Sequence, residues 1–255
     1  MLGAIIGDIV GSVFEWDNIK TTDFSFFSPK GFFTDDSVLT VATAKALLSN
    51  ISYTEAYQDF SRRYPGRGYG GNFQHWIYLE DPQPYDSWGN GSAMRVSPVG
   101  FAFDSVKEVL AEAQRSAEVT HNHPEGIKGA QATALAILLA RHDTPQSEIR
   151  AEIANRFGYD LNRTLDDIRP VYTYDVSCQG SVPEAIIAFL ESTNYEDAIR
   201  KAISIGGDSD TIACITGGIA EAFYGGVPDE IAKKAYSYLP EEFIEIIEAF
   251  QEKYL

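Results

Sequence analysis

The chain has 255 residues, of which 44% are apolar and 22% charged, a composition that supports a large core and excludes disorder, collagen and membrane-spanning stretches. Its 37 acidic and 20 basic residues leave a net charge of −17, which repels polyanions and attracts cations, so a divalent-metal site is a better expectation than a nucleic-acid groove. Two cysteines, Cys178 and Cys214, cannot form a disulfide framework and fit a reducing, cytoplasmic setting.

Apolar residues at Leu2, Ile5, Ile6, Ile9, Val10, Val13 and Phe14 recur with a helical period. Gly3, Gly7, Gly11 and Glu15 follow at every fourth position, so a first helix is expected to end on Glu15. This start lacks the basic region of a signal peptide and carries Asp8 within its apolar run, so it reads as part of the mature protein. Helical spacing continues through 37–48, 54–63, 105–118, 125–140, 146–157, 183–191, 196–204, 211–224, 229–238 and 241–253. Pro124, Pro145, Pro183 and Pro228 stand near first helical positions, with Asn122, Thr144 and Ser181 as caps. The strand candidate is 171–176. The fold class is therefore all-α, and with neither repeat nor low-complexity linker, residues 1–255 read as one domain. Segments 17–33, 64–98 and 158–181 resist the helical reading; long irregular stretches in compact domains tend to carry ligand contacts.

Two acidic clusters each stand before a helix: Thr34, Asp35 and Asp36, then Asp208, Ser209, Asp210 and Thr211. Such carboxylates and hydroxyls can converge on a hard cation as oxygen ligands. The competing reading is helix capping, which favours the same residue types. Gly206 and Gly207 precede the second cluster and permit close backbone approach. The run Trp88, Gly89, Asn90, Gly91, Ser92, Ala93, Met94 and Arg95 can offer backbone N–H groups to a phosphate, although it matches neither a Walker loop nor a dinucleotide fingerprint. A second glycine loop spans 66–72, and His121 and His123 stand before the helix at 125. With few His and Cys ligands elsewhere, zinc is disfavoured. His121 is a candidate ligand contact, and His123 fits the helix entrance. Glu15 would be a costly buried carboxylate that a metal or water could relieve.

In order and spread these motifs resemble the ADP-ribosylglycohydrolase family, nearly end to end: the Gly3-to-Asp8 stretch with Glu15, Phe33 to Ser37, Gly68 to Gly71, Gly89 to Arg95, Thr120 to Pro124, and Gly206 to Thr211. The resemblance implies a compact, single-domain, orthogonal multi-helix bundle holding two divalent cations, Mg²⁺ or Mn²⁺. It implies Thr34, Asp35, Asp36, Asp208, Asp210 and Thr211 as metal ligands, with Gly70, Gly89, Asn90, Gly91, Ser92, Met94, Arg95 and His121 along the ADP-ribose cleft. Two positions depart from the pattern: Ser209 where threonine is common, and Glu221 where a small residue is frequent. The adenine-stacking aromatic is unassigned among Tyr69, Phe73, Trp76, Tyr85 and Trp88, and Tyr159, Tyr172 and Tyr174 offer another wall. The expected reaction is hydrolysis of the bond between ADP-ribose and its acceptor, with Asp36 near the scissile bond, Glu15 positioning water and Asp35 beside them. Arginine of a modified protein is the leading acceptor; serine, small-molecule and nucleobase conjugates are alternatives. A two-metal phosphoesterase and a non-catalytic ADP-ribose-binding module are the competing classes. The expected protein is a cytoplasmic monomer with no nucleic-acid or membrane partner.

Overall fold

Fifteen helices and one isolated β-bridge, between Gly89 and Ser177, make up the regular structure of residues 1–255 in a computed structural model. In chain order the helices are α1 (Leu2–Gly11), α2 (Asp35–Ser49), α3 (Tyr53–Arg63), α4 (Gly71–Trp76), α5 (Gly91–Met94), α6 (Ser97–Ala102), α7 (Val106–Glu118), α8 (Pro124–Arg141), α9 (Gln146–Phe157), α10 (Leu165–Ile168), α11 (Cys178–Leu190), α12 (Tyr195–Ile203), α13 (Ser209–Phe223), α14 (Asp229–Tyr236) and α15 (Glu241–Tyr254). The fold is all-α, and its apolar core runs from Met1 to Phe250.

Helices α1 and α13 are buried along nearly their whole lengths, as helices apolar on every side must be. They pair antiparallel through the glycine row: Gly3 meets Gly217, Gly7 meets Ala213, and Gly11 meets Ser209 and Asp210. A Cβ on Gly3 or Gly11 would come within 2.5 Å of the partner backbone, and one on Gly7 would overlap Ala213 O. Missing side chains therefore set how closely the two backbones approach. Helices α8, α11 and α12 pack around α13, while α2 and α14 lie against α1. The unusual Glu221 has a place in this pairing. Its carboxylate accepts from the Met1 amino group and the Gly3 N–H, at the positive end of the α1 dipole.

Several sequence expectations change. Helix α1 stops at Gly11, where Ser12 Oγ donates to Ile9 O and the chain turns, so Glu15 lies beyond the helix. Pro183 sits inside α11, because Ser177 starts that helix earlier by accepting from Gly180 N–H. His123 and Pro145 occupy the cap positions expected of Asn122 and Thr144. The 171–176 segment forms no strand; it passes alongside the glycine loop, where Asn90 N–H donates to Val176 O and Cys178 N–H to Trp88 O. Four short helices, α4, α5, α6 and α10, escape the periodicity reading, since four to six residues are too few to display a helical period.

Candidate active site

The antiparallel glycine pairing brings the last turn of α1 to the first turn of α13, and the start of α2 joins them. Asp8, Asp36 and Asp210 place carboxylate oxygens within 4.8 Å of one another, and Glu15, Asp208 and Asp210 form a second group within the same limit. Sequence reasoning gives Asp8 no site role: there it interrupts an apolar run and closes the Gly3-to-Asp8 motif. Here it is fully buried, accepting from Thr34 N–H (2.9 Å), Thr34 Oγ1 (2.7 Å), Ser37 N–H (3.1 Å) and Ser37 Oγ. The α1 carboxylate thus anchors the N-terminus of α2.

The capping reading holds for one cluster and fails for the other. Thr34 Oγ1 accepts from Asp36 N–H at 3.2 Å, an ordinary N-cap. Asp208 occupies the cap position of α13, yet its side chain makes no capping bond and accepts instead from Asn90 Nδ2 at 2.7 Å. Thr211 Oγ1 donates to Asp36 Oδ2 at 3.2 Å, joining the two clusters across 175 residues of sequence.

Six carboxylates, on Asp8, Glu15, Asp35, Asp36, Asp208 and Asp210, crowd this centre, and none takes part in the ion pairs found elsewhere in the protein. Burial raises the Asp8 pKa to about 6 despite its hydrogen bonds. Burial, reinforced by neighbouring carboxylates, lifts Asp35, Asp36 and Asp210 well above the ordinary aspartate range. Glu15 is raised by burial and by Asp208, and Asp208 by burial. Asp36 Oδ1 is buried without a hydrogen-bond partner. An uncompensated, all-oxygen donor set with an orphaned carboxylate oxygen fits hard divalent cations.

A cleft of about 530 Å³ opens over this centre, a size typical of small-ligand sites. Thr34, Asp35, Asp36, Asp208, Asp210 and Thr211 all reach its wall, as do Glu15, Gly70, Gly89, Asn90, Gly91, Met94, Arg95 and His121. Ser92 does not: its hydroxyl is buried and donates to Gly126 O at 2.7 Å, so the side chain holds the loop on α8. The N–H groups of Ala93 and Met94 turn back to Asn90 O, while those of Gly91 and Ser92 have no acceptor within the protein. Asn90 is occupied too, with its amide spanning Asp208 and Ser181.

Arg95 also differs from expectation. It is completely buried, with its guanidinium 4.2 Å from the Tyr57 ring centroid and Nη2 donating to Ser116 O and Thr120 Oγ1. It touches the cleft wall while Nη2 is spent on protein partners. Thr120 Oγ1 is 2.7 Å from His121 Nδ1, while His121 Nε2 lies beside the glycine loop, 3.1 Å from where a Gly91 Cβ would stand. Burial and the Arg95 charge hold His121 well below the usual histidine pKa, so the ring stays neutral.

Among the aromatics named from sequence, Phe73, Tyr85 and Tyr174 line the cleft, whereas Tyr69, Trp76 and Tyr159 are absorbed into the core. Trp16 and Phe32 line it as well. Sequence reasoning names neither residue, although Phe32 lies in the 17–33 segment expected to carry ligand contacts, because an aromatic in an irregular segment carries no periodic signal.

Known proteins resemble this chain in sequence and fold. The chain is 27% identical to ADP-ribosylhydrolase ARH3 of Mus musculus over 332 aligned positions, covering 99% of this chain and 87% of that protein. Identity to the Homo sapiens ADP-ribosylhydrolase ARH3 is 29% over 305 positions, covering 88% and 84%. ADP-ribosylarginine hydrolase Tri1 of Pseudomonas putida is 27% identical over 276 positions, covering 92% and 72%. A solved structure described as an ADP-ribosylglycohydrolase-related protein complex shares the fold with a TM-score of 0.71 at 23% identity, covering 100% of this chain and 97% of that one. The sequence profile of the ADP-ribosylglycohydrolases matches residues 1–254, and the chain belongs to the ADP-ribosylglycohydrolase family.

Proposed function

We propose that this protein, acting as one domain over residues 1–255, hydrolyses the bond between the anomeric carbon of ADP-ribose and the guanidinium nitrogen of a modified arginine, with two Mg²⁺ or Mn²⁺ ions as cofactors. The observation that carries this reading is the set of six crowded carboxylates, including the unpartnered Asp36 Oδ1, beneath a cleft lined by a glycine-rich phosphate-sized loop. Thr34, Asp35, Asp36, Asp208, Asp210 and Thr211 would hold the ions. When bound, these supply positive charge that fixes ribose hydroxyls and acidifies water.

The chain's own groups do the rest. The N–H group of Gly91 and the neutral His121 face the diphosphate, and Gly70, without a side chain, leaves space beside it. Asp36 stands next to the scissile bond with Asp35 beside it, stabilising the positive charge that develops on the sugar. Glu15, half-buried beside Asp208 and Asp210, holds the attacking water. The water oxygen bonds to the anomeric carbon, the carbon–nitrogen bond breaks, and the water's proton passes through Glu15 to the departing guanidine.

The test is turnover of defined ADP-ribosyl conjugates of arginine, serine and a nucleobase with Mg²⁺, Mn²⁺ or chelator, with products identified by mass spectrometry. ADP-ribose released from the arginine conjugate, and lost with chelator, is the expected result. AMP or inorganic phosphate as product would point to a phosphoesterase. Release from serine alone would overturn the acceptor, and ADP-ribose binding without any turnover would make the protein a binding module.

A further inference from the structure

Trp16 is the most exposed large apolar side chain in the protein, at 80%, and it lines the cleft. Its ring stacks on Tyr174, itself 43% exposed, with centroids 5.2 Å apart and planes 24° from parallel. Two exposed aromatic rings stacked at a cleft mouth form a contiguous apolar face of the kind that marks a ligand-binding surface. Its backbone is firmly held. Asn18 Nδ2 donates to Phe14 O, Glu15 O and Gly207 O, and Asn18 Oδ1 accepts from Gly207 N–H, which staples the 14–18 turn to the residue before Asp208. Tyr174 is fixed from the other side, its hydroxyl donating to Glu15 Oε1 at 3.2 Å. The aromatic pair therefore borders the carboxylates on a preorganised frame.

Charge decides what such a platform would take. Tyr174 is bonded to Glu15, whose carboxylate groups with those of Asp208 and Asp210 within 4.8 Å, so carboxylate oxygens form the floor beside the platform. An aromatic face next to acidic oxygens favours a planar cation, by stacking and cation–π attraction, over a neutral hydroxyl-bearing group. Resting on the hydrolase reading above, we propose that Trp16 and Tyr174 form the acceptor subsite, which receives the guanidinium of the modified arginine and sets selectivity for arginine over serine.

Steady-state kinetics of Trp16→Ala and Trp16→Phe on arginine-linked and serine-linked ADP-ribosyl peptides test this, together with ADP-ribose affinity. Trp16→Ala should raise KM for the arginine conjugate roughly tenfold with kcat within about twofold. Trp16→Phe should restore most of the loss, and ADP-ribose Kd should not move. Equal losses on both conjugates, or a weakened ADP-ribose Kd, would overturn the acceptor role while leaving the hydrolase reading intact. Should the wild-type protein hydrolyse neither conjugate, the hydrolase reading falls and binding decides the subsite separately. With ADP-ribose and Mg²⁺ present, N-acetylarginine amide should quench the tryptophan fluorescence of the wild-type protein but not that of Trp16→Phe, and N-acetylcitrulline amide, its neutral counterpart, should quench neither. No quenching by either compound, or equal quenching by both, would overturn the proposal.

Discussion

Asp36 shows how one side chain serves fold and chemistry at once. Oδ2 is tied to Thr211 Oγ1 and so joins the two acidic segments, while Oδ1 has no partner in a buried site. Replacing it with asparagine keeps an acceptor for Thr211 and removes one charge from a self-repelling group. Asp36→Asn, and likewise Asp210→Ala, should lower metal-dependent ADP-ribose release by about 10²-fold or more, while thermal melting in chelator shows no loss of stability. Full activity in either variant would refute the placement of these carboxylates in the chemistry. Asp8 is the residue-scale lesson in the other direction. Its importance lies in four hydrogen bonds to residues 34 and 37, contacts that nothing in its local sequence announces.

At the scale of elements, the α1–α13 pair is the device that assembles the site. Because the helices run antiparallel and in close register, contact between Gly3 and Gly217 at one end fixes Gly11 against Asp210 at the other. The same register puts Glu221 at the start of α1 and the carboxylates at its end. A methyl group on Gly7 must separate the helices, since it would overlap Ala213 O. Gly7→Ala should cost about 3 kcal/mol in urea unfolding, the upper end of ordinary overpacking. Activity of the folded fraction should fall as well, because Asp8 and Asp210 move apart. A variant as stable and as active as the wild type would show that the glycine row does not set the register.

Across the whole molecule, the charge of −17 divides into a solvated surface and a small buried centre. The buried carboxylates have pKa values raised above their unfolded values, so without metal the folded state binds more protons than the unfolded state. Their contribution to stability is full below about pH 4 and is lost as pH rises through the folded values, about 6 for Asp8, with Asp35, Asp36 and Asp210 likewise raised well above the ordinary aspartate range. For Asp8 alone the loss is on the order of 3 kcal/mol. In chelator, Tm should therefore be lower at pH 8 than at pH 5. Saturating Mg²⁺ or Mn²⁺ should narrow that gap, since cations favour the ionised carboxylates. A chelated protein that melts higher at pH 8 would contradict the crowding of charge. The sequence by itself determined the all-α class, most long helices, the glycine row and both acidic motifs, because helical period, chain-wide motif order and cap chemistry are local or ordered along the chain. Only the tertiary structure decided that α1 ends before Glu15, that Asp8 joins the carboxylates, that Arg95 and Ser92 turn inward, and that Trp16 lines the cleft. Those outcomes depend on which helix packs against which, and burial of a single polar or aromatic side chain leaves no periodic trace in the sequence.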